Sequence, residues 1–261
     1  MSGEKAVRKK HCTAVILAGG SGSRMHSDVA KQFMLLGGKP LLWYSLQAVQ
    51  QSEIIDDCIL VAGKEEEAAR GEPSRTMDYV RREIVCKYGF TKVAAIVAGG
   101  SERCWSVENA MSLLRDMKGQ GGILDRTDYV FIHDSARPFL TEDILRRTYE
   151  AVQLHHACVA AVPSKDTVKL ADQEGFAECT PARNRVWTIQ TPQVFDAGLI
   201  MEAYGRLREQ YSQSAQAPVT DDASVVELFS DTPVKLVEGS YQNIKITTPE
   251  DIKIAEAFLE F

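Results

Sequence analysis

An apolar run from Thr13 to Ala18 passes without a break into Gly19-Gly20-Ser21-Gly22-Ser23-Arg24, and comparable runs recur at Cys58 to Ala62, Val93 to Ala98, Tyr129 to His133 and Ala157 to Val162. Each run is of strand length, and each is separated from the next by a segment whose apolar residues repeat with helical period. Alternation of this kind predicts a mainly parallel sheet with helical crossovers. The helices expected are Pro40 to Gln50, Thr76 to Tyr88, a segment from a cap at Ser101 to about Met117, Thr141 to His155 and Ala197 to Gln210. The alternation breaks after Val162, where Thr167 to Ala171 and Phe176 to Cys179 flank Asp172-Gln173-Glu174-Gly175 and predict a hairpin. Strands at Val186 to Gln190, Val234 to Val237 and Ile244 to Thr247 follow, with Asp221-Asp222 as a cap for Ala223 to Phe229 and a last helix opened by Thr248-Pro249. The architecture expected is one α/β domain over 13–261, Rossmann-like, with helices on both faces of the sheet, a projecting β-hairpin arm at about 164–184 and an N-terminal extension over 1–12.

Composition narrows the function. The 261 residues are 44% apolar, enough for a sizeable core, and carry 30 Lys plus Arg against 36 Asp plus Glu, a net charge of -6. That field repels a phosphate backbone, so a nucleic-acid partner is disfavoured. No apolar run approaches the roughly 20 residues of a membrane helix, so no membrane is expected. The basic stretch before Thr13 imitates the start of a signal peptide, but the apolar run after it is too short and ends in Gly-Gly. Six cysteines with no C-x-x-C pair read as reduced thiols, and a cytoplasmic location is expected.

The chemistry sits where strands end. A glycine-rich loop after the first strand offers backbone N–H groups to a polyphosphate, and Arg24 and Lys31 can reach the same anion, one as a planar fork and the other as a compact charge. Met25 stands where a dinucleotide fold wants its third glycine, and no G-x-x-x-x-G-K-[ST] run occurs, so neither NAD nor Walker-type ATP binding is supported. Asp134, in His133-Asp134-Ser135-Ala136-Arg137-Pro138, ends a buried strand and is either a Mg²⁺ contact or a turn residue bonded to its own backbone. His133, with no second His or Cys at metal spacing, reads as a packed side chain.

Taken together, the G-G-x-G-x-R loop with Lys31 downstream, Val97 to Arg103, the HDSARP segment, Ala161 to Lys169, Trp187 to Phe195, Thr220 to Ser224 and Glu238 to Asp251 resemble the 2-C-methyl-D-erythritol 4-phosphate cytidylyltransferase family of the sugar-nucleotidyltransferase superfamily. The resemblance runs in order over about residues 13 to 259. It implies a nucleotidyltransferase that moves CMP from CTP to a sugar-alcohol phosphate with Mg²⁺. The cations Arg24, Lys31 and Lys245 would surround the triphosphate. Ala18, Gly19, Gly20, Gly22, Gly100, Ser101, Arg103 and Ser106 would hold the nucleotide, and Thr167, Arg183, Thr191 and Lys245 the acceptor phosphate. It also implies a homodimer in which the arm of each chain completes its partner's site. On the residues alone, Thr167 and Arg183 read as an ordinary hairpin pair on an exposed ribbon; the resemblance prefers Arg183 to Arg185 because it keeps the family's four-residue offset from Trp187. Ribitol-5-phosphate cytidylyltransferases share the nucleotide loop and the Asn-Ile-Lys segment, so ribitol 5-phosphate is the alternative acceptor.

Overall fold

The computed structural model describes residues 9–19, 30–64, 75–211 and 219–259. The chain opens with β1 (Cys12–Ala18), a single 3-10 turn at Lys31–Phe33, and a two-residue ladder of β2 (Leu35–Leu36) and β3 (Lys39–Pro40) that leads into helix α1 (Leu41–Gln51). Then come β4 (Asp57–Lys64), α2 (Arg75–Tyr79) continued as a π-helical turn over Val80–Cys86, β5 (Val93–Gly99) and α3 (Arg103–Met117). The second half holds β6 (Tyr129–Asp134), α4 (Glu142–His155), β7 (Ala157–Pro163), the short ribbon β8 (Leu170–Ala171) and β9 (Ala177–Cys179), and β10 (Trp187–Asp196). It ends with α5 (Ala197–Gln210), α6 (Asp222–Phe229), β11 (Lys235–Glu238) and α7 (Pro249–Leu259).

Seven strands form one sheet in the order β11-β7-β10-β6-β1-β4-β5. All neighbours are parallel except β10, which runs antiparallel to both β6 and β7. Side chains alternate between faces with period two, and β1 shows the consequence. Val15 joins a core with Trp105, Val107 and Met111 of α3, Ile200 and Tyr204 of α5, and Val226 of α6. Its neighbours Ala14 and Ile16 join the opposite core with Leu42 and Leu46 of α1, Val80 and Ile84 after α2, and Ile144 and Leu145 of α4. Helices therefore cover both faces, as the near-continuous apolar strands require. A smaller cluster of Leu36, Leu41, Ile246 and Ala255 seats α7 against the β2–β3 ladder.

Several elements depart from the sequence-based expectation, each for a local reason. The strand expected at Val186 to Gln190 continues to Asp196, through Pro192. The ladder shifts register between Ile189 and Gln193, so the missing proline N–H falls in the irregularity. Residues 244–247 are not a strand: Ile246 N donates to Ala136 O at 2.8 Å, and the segment is drawn across the turn after β6 rather than along the sheet. Ser101 does not cap α3, whose cap position is Glu102 without a side-chain bond. Asp221 does cap α6, in a capping box with Ser224, while Asp222 is buried and serves elsewhere. The chain also enters β1 one residue before the expected boundary, at Cys12, with Lys9, Lys10 and His11 tied to Asp56, Asp128 and Asp57.

A two-stranded ribbon stands where the hairpin was expected. β8 and β9 project as an exposed ribbon closed by Asp172, whose carboxylate accepts from Glu174 N and Phe176 N, with Gly175 at φ +89. Phe176 and Leu170 stand exposed on it.

Helix α4 is capped by its own local sequence. Thr141 accepts from Ile144 N, and Glu142 and Asp143 lie in the first turn at the positive end of the dipole. Thr141→Ala is expected to cost about 1 kcal/mol, lowering Tm by about 2–4 °C in a thermal melt.

Candidate active site

In an open α/β sheet the crevice beyond the carboxyl ends of the strands receives the ligand. Here β1 delivers Ala18 and Gly19, β5 delivers Gly100 and β6 delivers Asp134 to a common cavity of about 320 Å³, which Lys31 and Lys245 also line. The backbones crowd so closely at the end of β5 that only glycine fits at Gly99, just behind the cavity, and at Gly100, which lines it. A Cβ on Gly99 would lie 2.9 Å from Gly63 O, and one on Gly100 would lie 2.5 Å from Trp105 Cβ. Ser106, one turn into α3, holds this loop: its Oγ accepts from Gly100 N at 3.1 Å and donates to Glu102 O at 3.1 Å.

Asp134 is the electrostatic centre of the cavity. Arg103 Nε donates to its Oδ1 at 3.1 Å and Lys245 Nζ to its Oδ2 at 2.6 Å. Burial alone would raise the carboxyl pKa, but the Arg103 and Lys245 charges outweigh it and hold the group well below the usual carboxylate range. Lys245 reaches this point because the segment before it is anchored. Asn243 is fully buried and donates to Thr191 O at 2.9 Å, while Arg137 Nη1 donates to Asn243 O at 2.7 Å.

Behind Asp134 lies a neutral relay. Asp134 N donates to Thr191 Oγ1 at 3.1 Å, Thr191 Oγ1 lies 3.0 Å from His133 Nδ1, and His133 Nε2 lies 3.0 Å from Arg137 O. Because a carbonyl can only accept, Nε2 carries the imidazole proton, and Nδ1 takes the Thr191 hydrogen. Burial pushes the His133 pKa down to about 4, so the ring stays neutral at pH 7.

The 2-C-methyl-D-erythritol 4-phosphate cytidylyltransferase (IspD) family model matches residues 12–261. The chain belongs to that family. A relative of that name from Lachnospira eligens is 47% identical over 248 residues, covering 95% of this chain and 99% of its own. One from Lachnoclostridium phytofermentans is 43% identical over 95% of each chain. Among solved structures, 4-diphosphocytidyl-2C-methyl-D-erythritol synthase from Anaerococcus prevotii superposes with a TM-score of 0.74 at 32% identity, covering 97% of each chain. The mostly parallel α/β nucleotidyltransferase fold is common to both, and the chain is an enzyme of the cytidylyltransferase type.

Of the site residues expected from the sequence, the structure brings Ala18, Gly19, Lys31, Gly100, Ser101, Arg103, Ser106 and Lys245 to one cavity, together with Asp134, the candidate metal contact. Gly20, Gly22 and Arg24 lie outside the described residues. Thr191 is buried behind the cavity with its hydroxyl engaged by His133 and Asp134 N, so its hydrogen is not directed at a phosphate. Thr167 and Arg183 are exposed on or beside the arm and are not among the residues lining this chain's cavity; Arg183 Nη1 donates to Lys165 O at 3.5 Å. Sequence reasoning gives no site role to Arg137, Asn243 or Asp222. The first two act through backbone carbonyls, which leave no residue pattern, and Asp222 is hidden beside the capping box that Asp221 and Ser224 form.

The depressed His133 pKa has a consequence for stability, with a definite sign. Below pH 6.5 the unfolded chain takes up a proton that the folded chain accepts only near pH 4, so stability is fully present above about 6.5 and falls across that window. The loss is on the order of 3 kcal/mol. Urea denaturation of wild type and His133→Gln at pH 7 and pH 4 checks it, with the variant expected to lose less stability on acidification than the wild type.

Proposed function

We propose that this cavity binds CTP and that the enzyme transfers its CMP group to 2-C-methyl-D-erythritol 4-phosphate, releasing pyrophosphate. The observation that carries the reading is the meeting of Lys31, Lys245 and the glycine backbone at 19 and 100 in one crevice, in a chain whose relatives bear that name. The names of those relatives favour methylerythritol phosphate over ribitol 5-phosphate as acceptor.

The reaction joins two anions. An oxygen of the acceptor phosphate attacks the α-phosphorus of CTP in line, the new P–O bond forms, and the bond to the bridging oxygen breaks with pyrophosphate taking the electron pair. A phosphomonoester is already ionised near neutral pH, so no general base is required. What the protein supplies is position and fixed positive charge against the oxygens where charge accumulates. Lys31 and Lys245, with Arg24 from the glycine-rich loop, are assigned that role. Gly19 and Gly100 let backbone approach the nucleotide, and Ser101 and Ser106 frame a base small enough for the gap. A cytosine met by fixed peptide groups leaves less room for a purine.

Asp134 suits a Mg²⁺ ion. It is ionised, borders the cavity, and each of its oxygens retains a second lone pair after meeting Arg103 and Lys245. A single carboxylate with substrate phosphates and waters is an ordinary Mg²⁺ environment. When bound, the ion neutralises triphosphate charge. Asp134 would hold it, and the described residues include no cluster of three or more His, Cys, Asp or Glu that would form a complete protein cage.

The exposed arm supports a homodimer with arm exchange, in which Thr167 and Arg183 of one chain hold the acceptor phosphate in the other chain's cavity. No helix among the described residues is long and apolar enough to cross a membrane, and the reading places the enzyme among soluble substrates in the cytoplasm.

Incubation with labelled CTP, Mg²⁺ and each acceptor separately tests the reaction, with transfer to methylerythritol phosphate expected to exceed transfer to ribitol 5-phosphate. Arg24→Ala, Lys31→Ala and Lys245→Ala are each expected to lower turnover by about 100-fold or more; near-wild-type turnover in a folded variant removes that residue from the role. Arm exchange predicts complementation. Equal amounts of Arg183→Ala and Lys245→Ala chains, unfolded and reassembled together, should recover about a quarter of wild-type activity, because half the dimers are mixed and each mixed dimer has one intact site. No recovery, with each variant dimeric, contradicts the exchange.

A further inference from the structure

Asp222 is the first residue of α6, is completely buried, and takes no part in the capping box that Asp221 and Ser224 form. Its carboxylate receives Arg103 Nη1 at 2.9 Å on Oδ1, Arg103 Nη2 at 2.7 Å on Oδ2, and the Tyr204 hydroxyl at 2.7 Å on Oδ1. The outer fork of Arg103 is therefore closed on Asp222, and its remaining edge, at Nε, meets Asp134. With Lys245 on the far side of Asp134, four charges alternate in sign from the buried foot of α6 to the cavity: Asp222, Arg103, Asp134, Lys245.

A buried ion pair seldom stabilises a fold more than apolar packing of the same volume would. The orientation of this one suggests what it does instead. An arginine placed to bind a triphosphate presents its fork to the phosphates. Arg103 lines the cavity, yet both of its terminal nitrogens are engaged by a carboxylate behind it. Without the Asp222 charge, an incoming polyphosphate would compete for that fork and draw Arg103 away from Asp134. Asp134 would then lose the partner that fixes one oxygen while Lys245 holds the other.

We propose that Asp222 is a positioning residue for nucleotidyl transfer: it holds Arg103 off the nucleotide phosphates and on Asp134, and thereby sets where Lys245 stands. Arg103 is on this account a positioning residue too, rather than a direct nucleotide ligand. The inference rests on the cavity being the nucleotidyl-transfer site. It assigns the second Asp of Thr220-Asp221-Asp222-Ala223-Ser224 a task distinct from that of the first.

The test is steady-state kinetics of Asp222→Asn, which keeps the shape and a bond to Tyr204 but removes the charge. The kcat is expected to fall at least 10-fold while KM for CTP stays level or drops, because the released Arg103 binds the triphosphate in the ground state. Val226→Ala, a cavity-forming change in the same helix, is the control for lost stability and should leave kcat per folded molecule within about twofold of wild type. Arg103→Lys should reproduce the kcat loss, and the double variant Asp222→Asn/Arg103→Lys should lose no more than the worse single one, since both act along one line. If Asp222→Asn does not fold, Arg103→Lys carries the test through its own kinetics: a kcat at least 10-fold lower with no rise in CTP KM marks a positioning residue rather than a direct nucleotide ligand. A variant whose loss only tracks the folded fraction, as for Val226→Ala, or whose CTP KM rises with kcat retained, overturns the proposal. The wild type measured alongside separates the two failures: no CMP transfer at all defeats the functional reading, whereas normal wild-type transfer with a benign Asp222→Asn defeats only the positioning role.

Discussion

One carboxylate holds the site together. Asp134 stands at the end of the central strand β6 and is shared between Arg103, from the start of α3, and Lys245, from an irregular segment more than a hundred residues further along the chain. Burying an acid in this position would be costly if it stood alone. The two cations remove that penalty, and the acid in turn gives each a fixed place. The sheet makes the arrangement possible because β1, β5 and β6 end at the same edge, so loops distant in sequence emerge side by side.

Around that carboxylate the cavity is charged yet close to balanced. Arg103 is matched by Asp222, and Asp134 by Arg103 and Lys245. A site that must admit a triphosphate and then a second phosphate gains from cations that do not have to be reorganised when substrate arrives. It also gains from a neutral backing: His133, Thr191 and the Arg137 carbonyl fix the Asp134 backbone without adding charge.

Much of this is legible in the amino-acid sequence. Short apolar runs separated by helical-period segments predict the sheet and its two helical layers, and Asp172 to Gly175 predict the ribbon turn, because both signals are local. The glycine loop and Asp134 are recognisable because they stand at strand ends, where backbone geometry and chemistry coincide, and Lys31 because it is a second cation downstream of that loop. The failures share a cause as well. The strand expected to end at Gln190 runs on through Pro192 because the ladder shifts register there, which residue types alone do not display. Residues 244–247 read as a strand by composition, but Asn243 and Arg137 hold the segment through carbonyl groups that no residue pattern displays. Asp222 beside Asp221 reads as one more helix-capping acid until its partner Arg103, 119 positions away, is seen.

The most direct test is a crystal structure with CTP and Mg²⁺. The triphosphate is expected between Lys31 and Lys245, the base beside Gly100 and Ser106, and the Arg103 fork still closed on Asp222. A nucleotide bound elsewhere on the chain, or one whose phosphates leave both lysines without contact, would contradict the assignment of this cavity.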